Sequence, residues 1–265
     1  VNAQSKYDSL LLEVSVANET ELPGLFMDLF VERRLDSLEL ALRFAGLASE
    51  SALRIGDSLN YTRAEYAMGH AYRINGDYNN AVKKYFSAVK PARNNGYTIR
   101  EKAALNGLGL TYYTLSKFDS ALRYHFESLQ LRERDGDPEE ISITTNNIGL
   151  VYYQLNDFVK AKLYFERTLK IEEDNELATD YGTYVNLGLT NIGLNDLEEA
   201  LANFPITIDN CGENCSPKTL TEAYDGRALC LLANENYVEA ESDYLAALEL
   251  AKNNSITTSL PSIYN

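Results

Sequence analysis

The chain has 265 residues, with 39 acidic against 24 basic side chains and a formal net charge of −15. Such a surface disfavours nucleic-acid backbones and anionic membranes. No stretch approaches the ~20 apolar residues of a membrane span, while 45% hydrophobic residues suffice to bury a core.

In chain order, Val1-Asn2-Ala3-Gln4 matches the small-x-Ala end of a secretory signal peptide. Residues Ser5–Val16 read as a single cap-like helix. A first helix is predicted over 22–34, followed by Ala41, Ala45 and Ala48, which stand 40 residues before Ala81, Tyr85 and Ala88. From there a phrase recurs. Ala81, Ala121, Ala161, Ala200 and Ala240 are spaced by 40, 40, 39 and 40 residues, and twelve residues before each stands Gly69, Gly109, Gly149, Gly188 or Ala228. A fixed period of this size is the mark of a stacked array.

The unit is an αα-hairpin. Ala104, Leu105, Leu108, Tyr112 and Leu115 recur at helical spacing. A break at Ser116-Lys117 follows, and Phe118, Ala121, Leu122, Phe126 and Leu129 form a second stripe. One hairpin cannot cover its own apolar face, so stacked copies must. Gly109 and Ala121 are expected where the two helices cross, with Tyr72, Tyr112 and Tyr152 beside the crossings. A helical Gly costs about 1 kcal/mol against Ala, which close approach offsets. Asp77, Asp157 and Asp196 are placed to cap second helices. Asp137-Pro138 and Ser216-Pro217 each set a capping side chain before a first-turn Pro. Asn191 and Leu231 replace the tyrosine in the last copies, and Phe204-Pro205 is expected to interrupt a helix. Tyr184, Tyr224 and Tyr264 keep the period, so Pro261–Asn265 reads as the start of a further repeat, and the chain as a fragment of a longer protein.

Leu105, Leu108-Gly109, Tyr112, Ala121, His125 and Ser128 carry a resemblance to the tetratricopeptide repeat, whose usual length is about 34 residues. The resemblance implies an all-α, right-handed superhelical solenoid of antiparallel helix pairs, about six repeats of about 40 residues in a single array. The expected segments are a cap at 5–17 and pairs at 22–55, 59–95, 98–135, 138–175, 177–210 and 217–253, with 261–265 opening the next.

In that family the first helices line a concave binding face. The resemblance then implies a groove of Tyr66, His70, Arg73, Asn106, Leu110, Tyr113, Asn146, Leu150, Tyr153, Gln154 and Leu189. Asn106 and Asn146 offer donor and acceptor for a peptide backbone. Tyr113 and Tyr153 offer flat amphipathic area. Leu110 and Leu150 either bind or pack between repeats. Arg73 is the only cation among these positions, which argues against the Lys/Arg/Asn clamp that grips chaperone tails.

Catalytic patterns are missing. His70 and His125 lie in different copies, and no HExxH, CxxC, phosphate loop or GxSxG occurs. The acidic pairs Glu139-Glu140, Glu172-Glu173 and Glu198-Glu199 read as solvated faces. Cys211 and Cys215 either close a small disulfide, which implies an oxidising compartment, or remain two thiols. Cys230 reads as core.

The sequence reads as a non-enzymatic module with no cofactor and no metal. It is expected to bind a protein or peptide in the groove, without direct nucleic-acid contact; a homodimer is also admitted. It resembles the N-terminal region of membrane-anchored sensor histidine kinases and helix-turn-helix regulators of the Bacteroidetes type, which implies a periplasmic or extracytoplasmic place. The alternative is a free-standing adapter, in the cytoplasm.

Overall fold

The computed structural model describes residues 3–212 and 215–256. The N-terminal match at Val1-Asn2 and the repeat start at 261–265 lie outside them. Every regular element among the described residues is a helix. They run α1 (Ala3–Val16), α2 (Leu22–Arg33), α3 (Leu38–Ile55), α4 (Ser58–Ile74), α5 (Tyr78–Asn94), α6 (Thr98–Thr114), α7 (Phe118–Asp135), α8 (Pro138–Gln154), α9 (Phe158–Asp174), α10 (Tyr181–Gly193), α11 (Leu197–Asn210), α12 (Pro217–Ala233) and α13 (Tyr237–Asn253).

Two compact units emerge, Val1–Asp135 and Gly136–Asn265. In the first, α1 packs on α2, and the pairs α2–α3, α4–α5 and α6–α7 stack with α2, α4 and α6 adjacent in one layer. In the second, the pairs α8–α9, α10–α11 and α12–α13 stack likewise, with α8, α10 and α12 in one layer. This is the all-α helix-pair solenoid expected from the period.

Local chemistry sets the ends. Asp57, Asp77, Asp137, Asp157 and Asp196 each accept a hydrogen bond from the backbone N–H three residues on. Ser216 does the same for α12, with Pro217 in its first turn. Such caps satisfy helix-end donors that would otherwise be orphaned. Between paired helices the chain turns through a left-handed residue at Gly76, Ser116, Asn156, Asn195 and Glu235, so the period is also a period of φ.

The packing explains the recurrent glycines. Tyr85, His125, Phe165 and Phe204 are all fully buried on second helices. A Cβ at Gly109 would lie 2.6 Å from the His125 ring, one at Gly149 2.6 Å from Phe165, and one at Gly188 2.7 Å from Phe204. Each aromatic therefore presses on the first helix of its own pair. Tyr85 and Phe204 also press on the next pair, where a Cβ at Gly107 or Gly226 would come within 2.5 Å. Gly109 thus serves the helix crossing as expected, and what demands it is the ring of residue 125 rather than Ala121. Tyr112 stacks on Tyr124 and Tyr152 on Tyr164, centroids 5.5 Å apart in both.

Two expectations fail. Glu172 is buried, accepting from the Ser142 hydroxyl at 2.7 Å, and does not lie on a solvated face. Phe204-Pro205 does not interrupt its helix, because α11 runs unbroken through Pro205. Proline denies one N–H to the Leu201 carbonyl and crowds it. Full burial of Phe204 between two first helices offsets that cost by about 2–3 kcal/mol.

Candidate functional site

In the first unit, residues of α2 and α4, with Leu38 and Arg100, line a cavity of about 730 Å³. Met27, Phe30, Ala67 and Ala71 form its buried floor. Val31, Leu35 and Ile74 line it while exposed to solvent. Its polar wall is entirely cationic or neutral: Arg34, Arg63, Arg100, Tyr66, His70 and Asn75, with no acidic residue.

Two of the sequence-predicted residues, Tyr66 and His70, line this cavity and stack on one another with centroids 6.4 Å apart. Partial burial, then the neighbouring Arg73 and Arg34 charges, hold the His70 imidazole below its usual pKa, so it is neutral at pH 7. Arg73 stands beside the buried Tyr85 hydroxyl, whose pKa burial pushes up to about 12. The Arg73 Nε is buried and has no hydrogen-bond partner.

Three more candidates lie on α6. Asn106 is half-buried, and its Oδ1 pairs with Nδ1 of His125 at 3.1 Å, the arrangement of an Nδ1-protonated imidazole. Burial pushes the His125 pKa down to about 4, and its Nε2 is buried without a partner. The polar ladder is therefore partly an internal device. Leu110 is half-buried, and Tyr113 leans on Phe118 at 6.1 Å.

The remaining candidates belong to the second unit. Asn146 is half-buried with its Oδ1 out of solvent and unpartnered. Leu150 packs against the Ala161–Phe165 cluster, and Leu189 against that of Val185, Ala200 and Phe204. Tyr153 meets Phe158 edge to face at 5.6 Å, and Gln154 is exposed.

Sequence reasoning missed Arg34, Arg63 and Arg100. They lie at helix ends, outside the mid-helix positions the repeat register singles out. The available signal was three arginines in or near first helices of a chain that is otherwise acidic. Cys211 and Cys215 are joined in the structure, and Cys230 is buried and free. Among the described residues, no group of three or more His, Cys, Asp or Glu is placed to hold a metal ion. No described helix is long and apolar enough to cross a membrane.

Residues 101–174 match the tetratricopeptide repeat family model. No curated protein is significantly similar in sequence. Among solved structures, a signal transduction ATPase with numerous domains and a tetratricopeptide repeat sensor, from Pyrococcus horikoshii, is similar with a TM-score of 0.83 and 16% identity. That likeness covers 99% of this chain and 42% of that one. The apo form of the quorum sensor NprR from B. thuringiensis follows at 0.68 and 19% identity, over 94% of this chain and 71% of that. BtubC from P. vanneervenii scores 0.68 at 18% identity, over 85% and 95%. Residues 101–174 thus match the tetratricopeptide repeat, and the helix pairs on either side share the fold of tetratricopeptide repeat structures.

Proposed function

We propose that this chain is a non-catalytic module that binds a protein or peptide on its first-helix face, as the sensory or interaction region of a larger bacterial signalling protein. The observation that carries the reading is the solvent-open cavity between α2 and α4, where exposed apolar side chains sit beside arginines and no carboxylate. Apolar surface left open beside well-capped, tightly packed helix pairs marks an interaction site. Of the two histidines, His125 is fully buried and bonded to Asn106, so it cannot reach a substrate. Similar solved structures, a tetratricopeptide repeat sensor and a quorum sensor, support the signalling context.

Mechanistically, a ligand seated between first helices would favour one spacing of those helices over another. It shifts the array only by its differential affinity for the two spacings. The Tyr113→Ala, Tyr153→Ala double variant serves the same reading: it keeps the fold and weakens partner binding. The Cys211–Cys215 bond supports a place outside the cytoplasm; trapping both cysteines as free thiols in protein isolated from its native host would count against it. The natural reading frame around the segment tests the rest. A membrane span followed by a kinase or DNA-binding domain supports the sensor, and a free-standing adapter would instead show a stop codon soon after residue 265. Turnover of any substrate by the purified chain would overturn the non-catalytic reading.

A further inference from the structure

Building on that reading, we infer that the α2–α4 cavity takes an acidic peptide segment, one in which side-chain carboxylates flank a bulky apolar residue. Charge carries the inference. The chain holds 39 acidic residues against 24 basic ones, yet no carboxylate lines this cavity and three arginines do. Several cations elsewhere are matched: Lys6 with Glu32, Lys84 with Glu65, Arg93 with Glu101 and Glu127, Lys102 with Asp135, and Arg227 with Asp243. Arg34, Arg63 and Arg100 form no ion pair with any described carboxylate. Arg63 is nonetheless held, its guanidinium donating to Asn60 Oδ1 at 2.9 Å while Asn60 donates to the cap Asp57 at 2.7 Å. A guanidinium fixed in this way and left without a counter-ion is pre-organised for a ligand carboxylate.

The apolar half of the cavity sets the rest of the ligand. Phe30 and Ala67 close the floor, while Leu35, 89% exposed, and Ile74, 69% exposed, flank the opening beside the arginines. A volume of about 730 Å³ admits a large side chain with its neighbouring backbone. A polyanion without apolar groups, such as a nucleic-acid strand, would leave that floor unused and meet net repulsion from the rest of the surface. With three arginines lining the same cavity as the apolar floor, the carboxylates are assigned to side chains neighbouring the anchor, and no free C-terminus is needed.

The experiment is selection of a random, C-terminally amidated peptide library on the intact chain, followed by titration of the enriched peptides. The expected winners carry Asp or Glu on both sides of Leu, Ile, Phe or Met. Replacing their carboxylates with amides should weaken binding about tenfold, and added salt should weaken it as well. Arg34→Gln and Arg100→Gln should each cost about fivefold, the scale of a partly exposed charged contact, with the melting curve unchanged. Winners that are basic or neutral, or whose affinity ignores both the amide swap and the arginine variants, would overturn the ligand class and leave the peptide-binding reading standing. Failure to enrich any peptide would overturn both. Self-association of the chain that disappears in Arg34→Gln would assign the cavity to a second copy and also overturn the proposal.

Discussion

Gly109→Ala isolates the steric role of the recurrent glycine. A Cβ there would stand 2.6 Å from both Cε1 and Nδ1 of His125 and 2.7 Å from Nε2. Ordinary contact begins at 3.4 Å, so ring or helix must yield by about 0.8 Å. The ring is fully buried, and its Nδ1 lies 3.1 Å from Asn106 Oδ1, a hydrogen bond that displacement of the ring would break. Overpacking of this kind costs about 1–3 kcal/mol, and loss of the neutral hydrogen bond adds about 1. The substitution also gains about 1 kcal/mol in helix propensity. The net expectation is a loss of about 1–3 kcal/mol, and Gly109→Leu should cost more. Gly46, inside α3 in the same unit, supplies the control: a Cβ there meets nothing within 4 Å. Gly46→Ala should therefore stabilise by about 0.5–1 kcal/mol. Urea unfolding followed by helical circular dichroism reads both variants as shifts of midpoint at constant slope. Equal stabilisation by the two alanines would refute the ring-against-glycine packing.

Three further outcomes are expected. His125 is held near pKa 4 by burial, against about 6.5 when unfolded, so between those values the unfolded chain binds the extra proton. Stability should then fall by about 3 kcal/mol as pH drops from 6.5 to 4, and not further below it; His125→Phe, the residue type at position 165, should flatten that part of the pH profile. Asn191 is fully buried with both amide atoms unpartnered, so Asn191→Leu should raise the unfolding midpoint by the equivalent of about 1–3 kcal/mol; a lowered midpoint would show that the amide has a partner. The Cys211–Cys215 ring spans a sequence separation of only 4, so reduction should cost no more than about 2 kcal/mol in the same unfolding assay.

Much of this architecture was legible from spacing. Glycine and alanine at a 40-residue period gave helix pairs, and Asp77, Asp157 and Asp196 gave the starts of second helices, because caps and close contacts are local demands on residue type. Contacts between pairs were less visible. Gly107 and Gly226 fall outside the recurrent Gly/Ala register, since their need arises from rings of the preceding pair, Tyr85 and Phe204. Pro205 misled because local propensity yields to burial. The Asn106 and Asn146 ladder divides for a similar reason: residue 125 is an imidazole that pairs with Asn106, whereas residue 165 is a phenyl with no polar atom to offer. The cavity was hidden most deeply, because charge pairing is a property of the folded surface and no one-dimensional pattern separates a matched arginine from an unmatched one.

Tyr85 touches Gly69 of its own pair and Gly107 of the next, so its burial belongs to the junction and to neither partner. The two sides of this ring repeat differently: its own-pair glycine recurs as Gly109, Gly149 and Gly188, whereas one period after Gly107 stands Asn147. A helix pair moved by one whole period would keep its internal packing and meet a different residue at the junction. The junction, and not the pair, therefore fixes which modules can be neighbours.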